Sequence, residues 1–233
     1  MQSFLYKNYT FNAVVASLLT IVVFMASFFA FEPLVAHGIT NNFTIKQVVT
    51  SEIAFKTAPN NVTMSPSLPG LTGGNSFGTS TVSINTNNPT GYNMTINFAT
   101  TVAMQGDNGL ASKIANYTPT VGGTPDYNFT VPANASRFGY AVRSVTNAAD
   151  VDARFKENGS ACNTGAGTTA GKCWYNVASA ISAVTILNRT TATAGTGATS
   201  TIIFRVGITA NPVPAVQTGG YTATATLTAV TNP

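Results

Sequence analysis

The stretch TVSINTNNPTGYNMTINF, residues 81–98, decides the fold class. Thr81-Val82-Ser83-Ile84 alternates polar with apolar, and Tyr92 to Phe98 does so again. A two-residue period puts alternate side chains on one face of a strand, so Val82, Ile84, Tyr92, Met94, Ile96 and Phe98 are expected to face a core. Between them, Asn87-Asn88-Pro89-Thr90-Gly91 has the residues of a turn. Two alternating segments around a Pro/Gly turn read as a β-hairpin with one buried face.

The same pattern recurs along the chain. Ile45–Phe55 alternates in part, and a Pro/Gly-rich connection follows from Pro59 to Gly74. Ala99–Thr124 is irregular. Strands are expected at Tyr127–Val131, Phe138–Val142, Trp174–Val177, Val184–Leu187, Thr201–Ile208 and Tyr221–Val230. In the last, Tyr221, Ala223, Ala225, Leu227 and Ala229 share one face and threonines the other. Asn147–Glu157 reads as a short helix or an excursion. Many short strands separated by turns argue an all-β fold, a single antiparallel β-sandwich of the Ig-like/WxL-like kind over residues 39–233. The glycines carry no nucleotide-binding context, because no helix follows them.

Residues 1–38 differ from the rest. Lys7 precedes an uncharged run from Phe11 to Phe31, which Glu32 and Pro33 end, and Ala36-His37-Gly38 offers the small residues of a cleavage site. The segment is read as a signal peptide cut after Gly38, with a retained membrane helix over residues 11–31 as the alternative. Either reading delivers the chain outside the cytoplasm through the general secretory route. Cleavage would also remove His37, the one histidine in the chain.

Cys162 and Cys173 are the only cysteines, and in an exported chain an even count reads as a disulfide. Closing so short a loop stabilises by roughly 3 kcal/mol in the chain-entropy model. Trp174 follows at once as an expected packing anchor. A thiol nucleophile would want a histidine partner, and a zinc site more ligands.

Charged residues make up 8% of the chain and the net charge is +4. The basic residues are scattered rather than gathered into a stripe, which argues against a nucleic-acid partner. The carboxylates after residue 38 are Glu52, Asp107, Asp126, Asp150, Asp152 and Glu157. Asp150, Asp152 and Glu157 lie close enough in sequence to suggest a calcium cradle, but Arg154 interrupts them, so a solvated loop with local ion pairs is the preferred reading. No GxSxG elbow is present. No catalytic residue, cofactor site or metal site is expected. The Asn-x-Ser/Thr sequons at Asn61, Asn93, Asn116, Asn128, Asn158 and Asn188 suit surface glycosylation.

INTNNPTGYNMTI and GGYTATATLTAV resemble the paired core strands of WxL-like surface β-sandwiches. With Lys172-Cys173-Trp174 and IIFRVGI, the layout is also similar to small secreted surface proteins of ultrasmall, host-attached bacteria. The resemblance implies a surface β-sandwich over most of residues 45–230. The Trp-x-Leu signature is absent, since Tyr175 and Asn176 follow Trp174, which removes the support for peptidoglycan binding. A more distant likeness is to camelysin-like fibre proteins, which implies polymerisation by strand donation.

The function expected is a non-catalytic cell-surface structural protein, self-assembling as a surface-layer or filament subunit. Two alternatives stand beside it. One is an adhesin or a cell-wall glycan-binding or host-binding module using loops 99–124 and 147–172. The other is a pilin-like subunit that keeps its N-terminal helix. The C-terminal strand is expected to pair within its own sheet, the default for such strands.

Overall fold

The computed structural model describes residues 2–30, 41–107, 111–177, 182–193 and 195–233. The chain divides into two units, Met1–Val48 and Val49–Pro233. The first contains α1 (Gln2–Ala30). Within it Tyr9–Phe28 has a mean hydropathy of 2.2 and none of it is buried, so it is long and apolar enough to cross a membrane, as a signal sequence also is. The hydroxyls of Ser17, Thr20 and Ser27 donate to carbonyls three or four residues earlier, which satisfies these hydroxyls within the helix. Ala36, His37 and Gly38, at the expected cleavage point, lie outside the described residues.

Among its described residues the second unit is all-β apart from two short 3-10 turns, Ala148–Asp150 and Ala153–Phe155. Its strands are β1 (Ile53–Thr57), β2 (Gly74–Thr86), β3 (Tyr92–Phe98), β4 (Met104–Gly106), β5 (Lys113–Ile114), β6 (Ser136–Ser144), β7 (Val184–Arg189), β8 (Ala198–Ile208), β9 (Tyr221–Thr222) and β10 (Ala225–Thr231). They form three antiparallel sheets in the orders β1-β2-β8-β6, β10-β3-β7 and β5-β4-β9.

The predicted hairpin over residues 81–98 is not one. β2 pairs with β1 and β8, while β3 pairs with β10 and β7. The turn carries the chain from one sheet to another. Val82, Ile84, Tyr92, Met94, Ile96 and Phe98 are nonetheless all buried in one core, as the alternation required. Alternation specifies which side chains share a core; it does not specify which backbones exchange hydrogen bonds. Of these, Val82, Ile84, Met94, Ile96 and Phe98 each contribute about 1.5–3 kcal/mol on burial. The turn is fixed by Asn88, whose side-chain amide donates to the carbonyls of Gly91 at 3.0 Å and Asn232 at 2.7 Å. Gly91 has φ +79°, and a Cβ there would lie 2.1 Å from the carbonyl oxygen of Arg189.

Other expectations shift by smaller amounts. Residues 41–52 form no strand, and β1 starts only at Ile53, where β2 offers an edge. The expected strand at Tyr127–Val131 does not form, and Trp174–Val177 is reduced to isolated bridges, Trp174 with Asp126 and Tyr175 with Tyr140. Tyr221–Val230 breaks in two, β9 joining the small sheet and β10 pairing with β3 in full register from Ala225–Phe98 to Thr231–Tyr92. The last strand therefore pairs within its own chain.

Asn147–Glu157 takes the excursion reading, and it leads into the Cys162–Cys173 disulfide, whose Cα atoms lie 5.6 Å apart. Trp174 is fully buried behind it and donates from Nε1 to the Gly171 carbonyl at 2.9 Å. With Tyr117, Phe129, Ala141 and Ile203 it forms a second hydrophobic cluster, to which β6 contributes Ala141 and β8 Ile203.

Candidate functional site

β2 is thirteen residues long and runs the length of the first sheet. Its core-directed positions change character halfway along. Near the turn they are Val82, Ile84 and Thr86, all buried. Toward the other end they are Ser80, Gly78 and Ser76. Small residues at positions where alternation places core side chains leave the space beneath them unfilled.

The space is a cleft of about 1110 Å³. One wall is Ser76 and Ser80 of β2 with Ile202, Phe204 and Val206 of β8; the other is Ile96 and Phe98 of β3 with Ala225 and Leu227 of β10. A strap, residues 59–71, lies across it. Val62 of the strap approaches Gly78 so closely that a Cβ on Gly78 would sit 2.3 Å from its Cγ1. Ser80 holds the strap by accepting from the Asn60 backbone N–H at 3.2 Å. Met64 and Leu68 of the strap pack on the core and are only partly buried. A volume of this size matches ligand and partner pockets rather than packing defects.

β10 stands beside the cleft as the last strand of its sheet. An unpaired strand edge is a template for another strand, and proteins protect edges with charge, proline or a covering element. The other edges of the two larger sheets are protected in this way. β1 carries Lys56, and β6 carries Arg137 and Arg143. β7 carries Arg189 and is covered by Val151, with the Asp152 N–H donating to the Ile186 carbonyl. β10, Ala-Thr-Leu-Thr-Ala-Val-Thr, has neither charge nor proline. β1 approaches it without pairing and matches only Ser83–Thr86 of β2, the half next to the turn. The end of β10 at Ala225 and Leu227, beside the cleft, is left open.

The carboxylates singled out in the sequence do not converge. Asp150 pairs with Arg189 at 2.6 Å, both largely buried, and Asp152 with Arg154 at 2.9 Å. Glu157 turns into the disulfide loop, where Thr169 Oγ1 donates to it at 2.8 Å and the Gly159 N–H donates as well. Among the described residues, no group of three His, Cys, Asp or Glu is placed to hold a metal ion. Asp126 accepts from the Tyr117 hydroxyl, and burial first, then this bond, push the Tyr117 pKa up to about 12.

One arrangement was not legible in advance. The Arg205 guanidinium lies 4.7 Å from the centre of the Phe129 ring, 5.0 Å from Phe77 and 5.7 Å from Trp174, and donates to Asn75 Oδ1 at 2.9 Å. Burial pulls its pKa below the ordinary value. With its Nε and one terminal nitrogen on Asn75 and its plane against three rings, Arg205 covers the second cluster. The cleft, likewise, had only one sequence signal, the run of small residues at Ser76, Gly78 and Ser80.

No protein-family model matches the chain, and no curated protein or solved structure shows significant similarity to it. The reading of the site rests on its own chemistry.

Proposed function

We propose that this chain is an exported, non-catalytic cell-surface protein whose β unit, an Ig-like sandwich of the WxL-like kind, self-associates as a subunit of a surface layer or filament. The observation that carries the reading is the unprotected edge of β10 beside the cleft. A seven-residue edge without charge or proline is a liability in a protein meant to remain alone, and an attachment site in one meant to assemble. A disulfide suits an oxidising exterior, and a 20-residue apolar span near the N-terminus suits export.

The variant in which α1 stays attached draws support from the same span, whose exposed Phe24 and Phe28 would then face lipid or neighbouring helices. Isolation from the cell surface, intact mass and negative-stain microscopy of the same fraction test both forms. Sheets or fibres built from a chain starting at Ile39 fit the secreted subunit. Sheets or fibres built from the uncleaved chain fit the anchored form. A monomer that stays dispersed at high concentration contradicts self-association.

A further inference from the structure

Ser76 and Ser80 of β2 face the cleft, so Phe77 between them faces the other way, onto the outer side of the first sheet. Arg205 of β8 stands in the same row, with Phe77 on one neighbouring strand and Gly139 of β6 on the other. Gly139 and Gly207 carry no side chains, which lets the chain around residues 117 and 129–131 lie close on the sheet beside the arginine. A Cβ on Gly139 would sit 2.8 Å from Tyr117 Cβ, and one on Gly207 would sit 2.6 Å from Val131 Cγ2. The rings of Phe77 and Phe129 then flank the guanidinium and fix its plane.

One edge of that plane is used. Asn75 Oδ1 accepts from Nε at 3.3 Å and from Nη2 at 2.9 Å. The far edge, Nη1 with the second hydrogen of Nη2, meets no acceptor among the described residues. No carboxylate pairs with Arg205 among them either. Asp126, the acid of this neighbourhood, is already engaged: the Tyr117 hydroxyl donates to it at 2.5 Å and the Thr120 N–H at 3.0 Å. A guanidinium held in one plane with a two-pronged edge left open matches the two oxygens of a carboxylate.

A second feature adjoins it. Phe77 is 43% exposed and also lines a hollow of about 390 Å³, together with Asn60, Asn61, Thr63 and Thr79. The hollow is uncharged and offers amides and hydroxyls, the groups that bond to other hydroxyls. Its walls are firm, because Ser65 of the strap and Phe77 exchange two backbone hydrogen bonds of 2.9 Å. An aromatic ring beside amides and hydroxyls suits a sugar, whose ring carbons are apolar and whose rim is not.

We infer that this face binds an acidic sugar, with the carboxylate on the open edge of Arg205, the sugar ring against Phe77 and its hydroxyls directed to the hollow between the strap and β2. The site lies on a different sheet from β10 and stands whether or not the chain assembles.

Titration of the full-length chain with trigalacturonate and with sialyllactose, each beside its methyl ester, tests this. Fluorescence of Trp174 is the readout, since it is the only tryptophan and its ring lies 5.7 Å from the guanidinium carbon. At least one of the acids should bind saturably, and its ester about tenfold more weakly, for loss of the hydrogen bonds to a charged group. Arg205→Lys keeps the charge but not the planar fork, and should weaken binding about tenfold. Phe77→Leu should weaken it about threefold through loss of the ring. Both variants are checked for an intact Cys162–Cys173 bond and an unchanged near-ultraviolet spectrum. Binding of neither acid overturns the inference, as does equal binding of acid and ester, or an Arg205→Lys chain that binds as the unmodified one does. Inorganic phosphate bound as tightly as the sugar acid overturns the assignment to a sugar.

Discussion

β2 passes through two ends of one domain that are built differently. At the turn end its inward residues are Val82, Ile84 and Thr86, and the core is filled. There Asn232 donates to the carbonyls of Thr90 and Arg189, each at 2.8 Å, and the buried Arg189–Asp150 pair closes the surface. At the far end Ser76, Gly78 and Ser80 leave a cleft that only a strap covers. The contrast teaches that the period of a strand sets which face it buries, whereas side-chain size sets whether that face is finished. A finished end holds the fold, and an unfinished one is free to receive something.

Arg189→Ala should do the most damage. It strips the Asp150 carboxylate of its partner in a buried setting, and losing one half of such a pair costs about 3–5 kcal/mol. Urea denaturation of the full chain should show the loss, and an unchanged midpoint would mean the turn end is not the fold's anchor. Ile84→Ala should cost about 2–5 kcal/mol by emptying a packed site. Leu227→Ala, on the cleft wall, should cost about 1 kcal/mol, because its side chain is only partly enclosed. Equal costs at the two positions would break the comparison.

The two ends were not equally legible. The six apolar residues of 81–98 announced a common core, and that core is present. The partners of β2 and β3 were hidden, because a turn between two alternating segments looks the same whether it joins neighbours in one sheet or carries the chain from one sheet to another. The disulfide was forced by count. The cleft was obscure because serine and glycine at alternate positions in a strand read equally well as a solvent face. The open edge of β10 depends on strand order, which no local pattern encodes. Asp150, Asp152 and Glu157 suggested a calcium cradle with local ion pairs as the preferred reading; Asp152 pairs with nearby Arg154, whereas Asp150 reaches Arg189 on β7.

Adding bulk sharpens the contrast. Ser76→Val enters free space in the cleft and should change stability by about 1 kcal/mol or less, whereas Ala198→Leu, in the filled end, should cost about 1–3 kcal/mol through overpacking. The same urea titration reads both.

The smallest effect is alkaline. Tyr92, at the filled end, has its pKa pushed up to about 12 by burial, with Asp150 adding to the rise and Arg189 opposing it. Tyr117 is raised to about 12 as well, and burial also raises Tyr140. A raised folded pKa means that the native state holds its protons more tightly, so this contribution is complete below pH 10 and is lost as pH climbs toward about 12. Absorbance at 295 nm should show a group of tyrosines ionising only as the fold is lost; free ionisation of all eight near pH 10 would show that end to be open.

Hydrogen exchange of the full chain, compared between dispersed and assembled material, tests the central claim most directly. If β10 is the attachment edge, the peptide covering residues 221–233 gains protection on assembly, while those covering β6 and β7 do not change. Protection that appears on β6 or β7 and leaves β10 untouched would contradict the account.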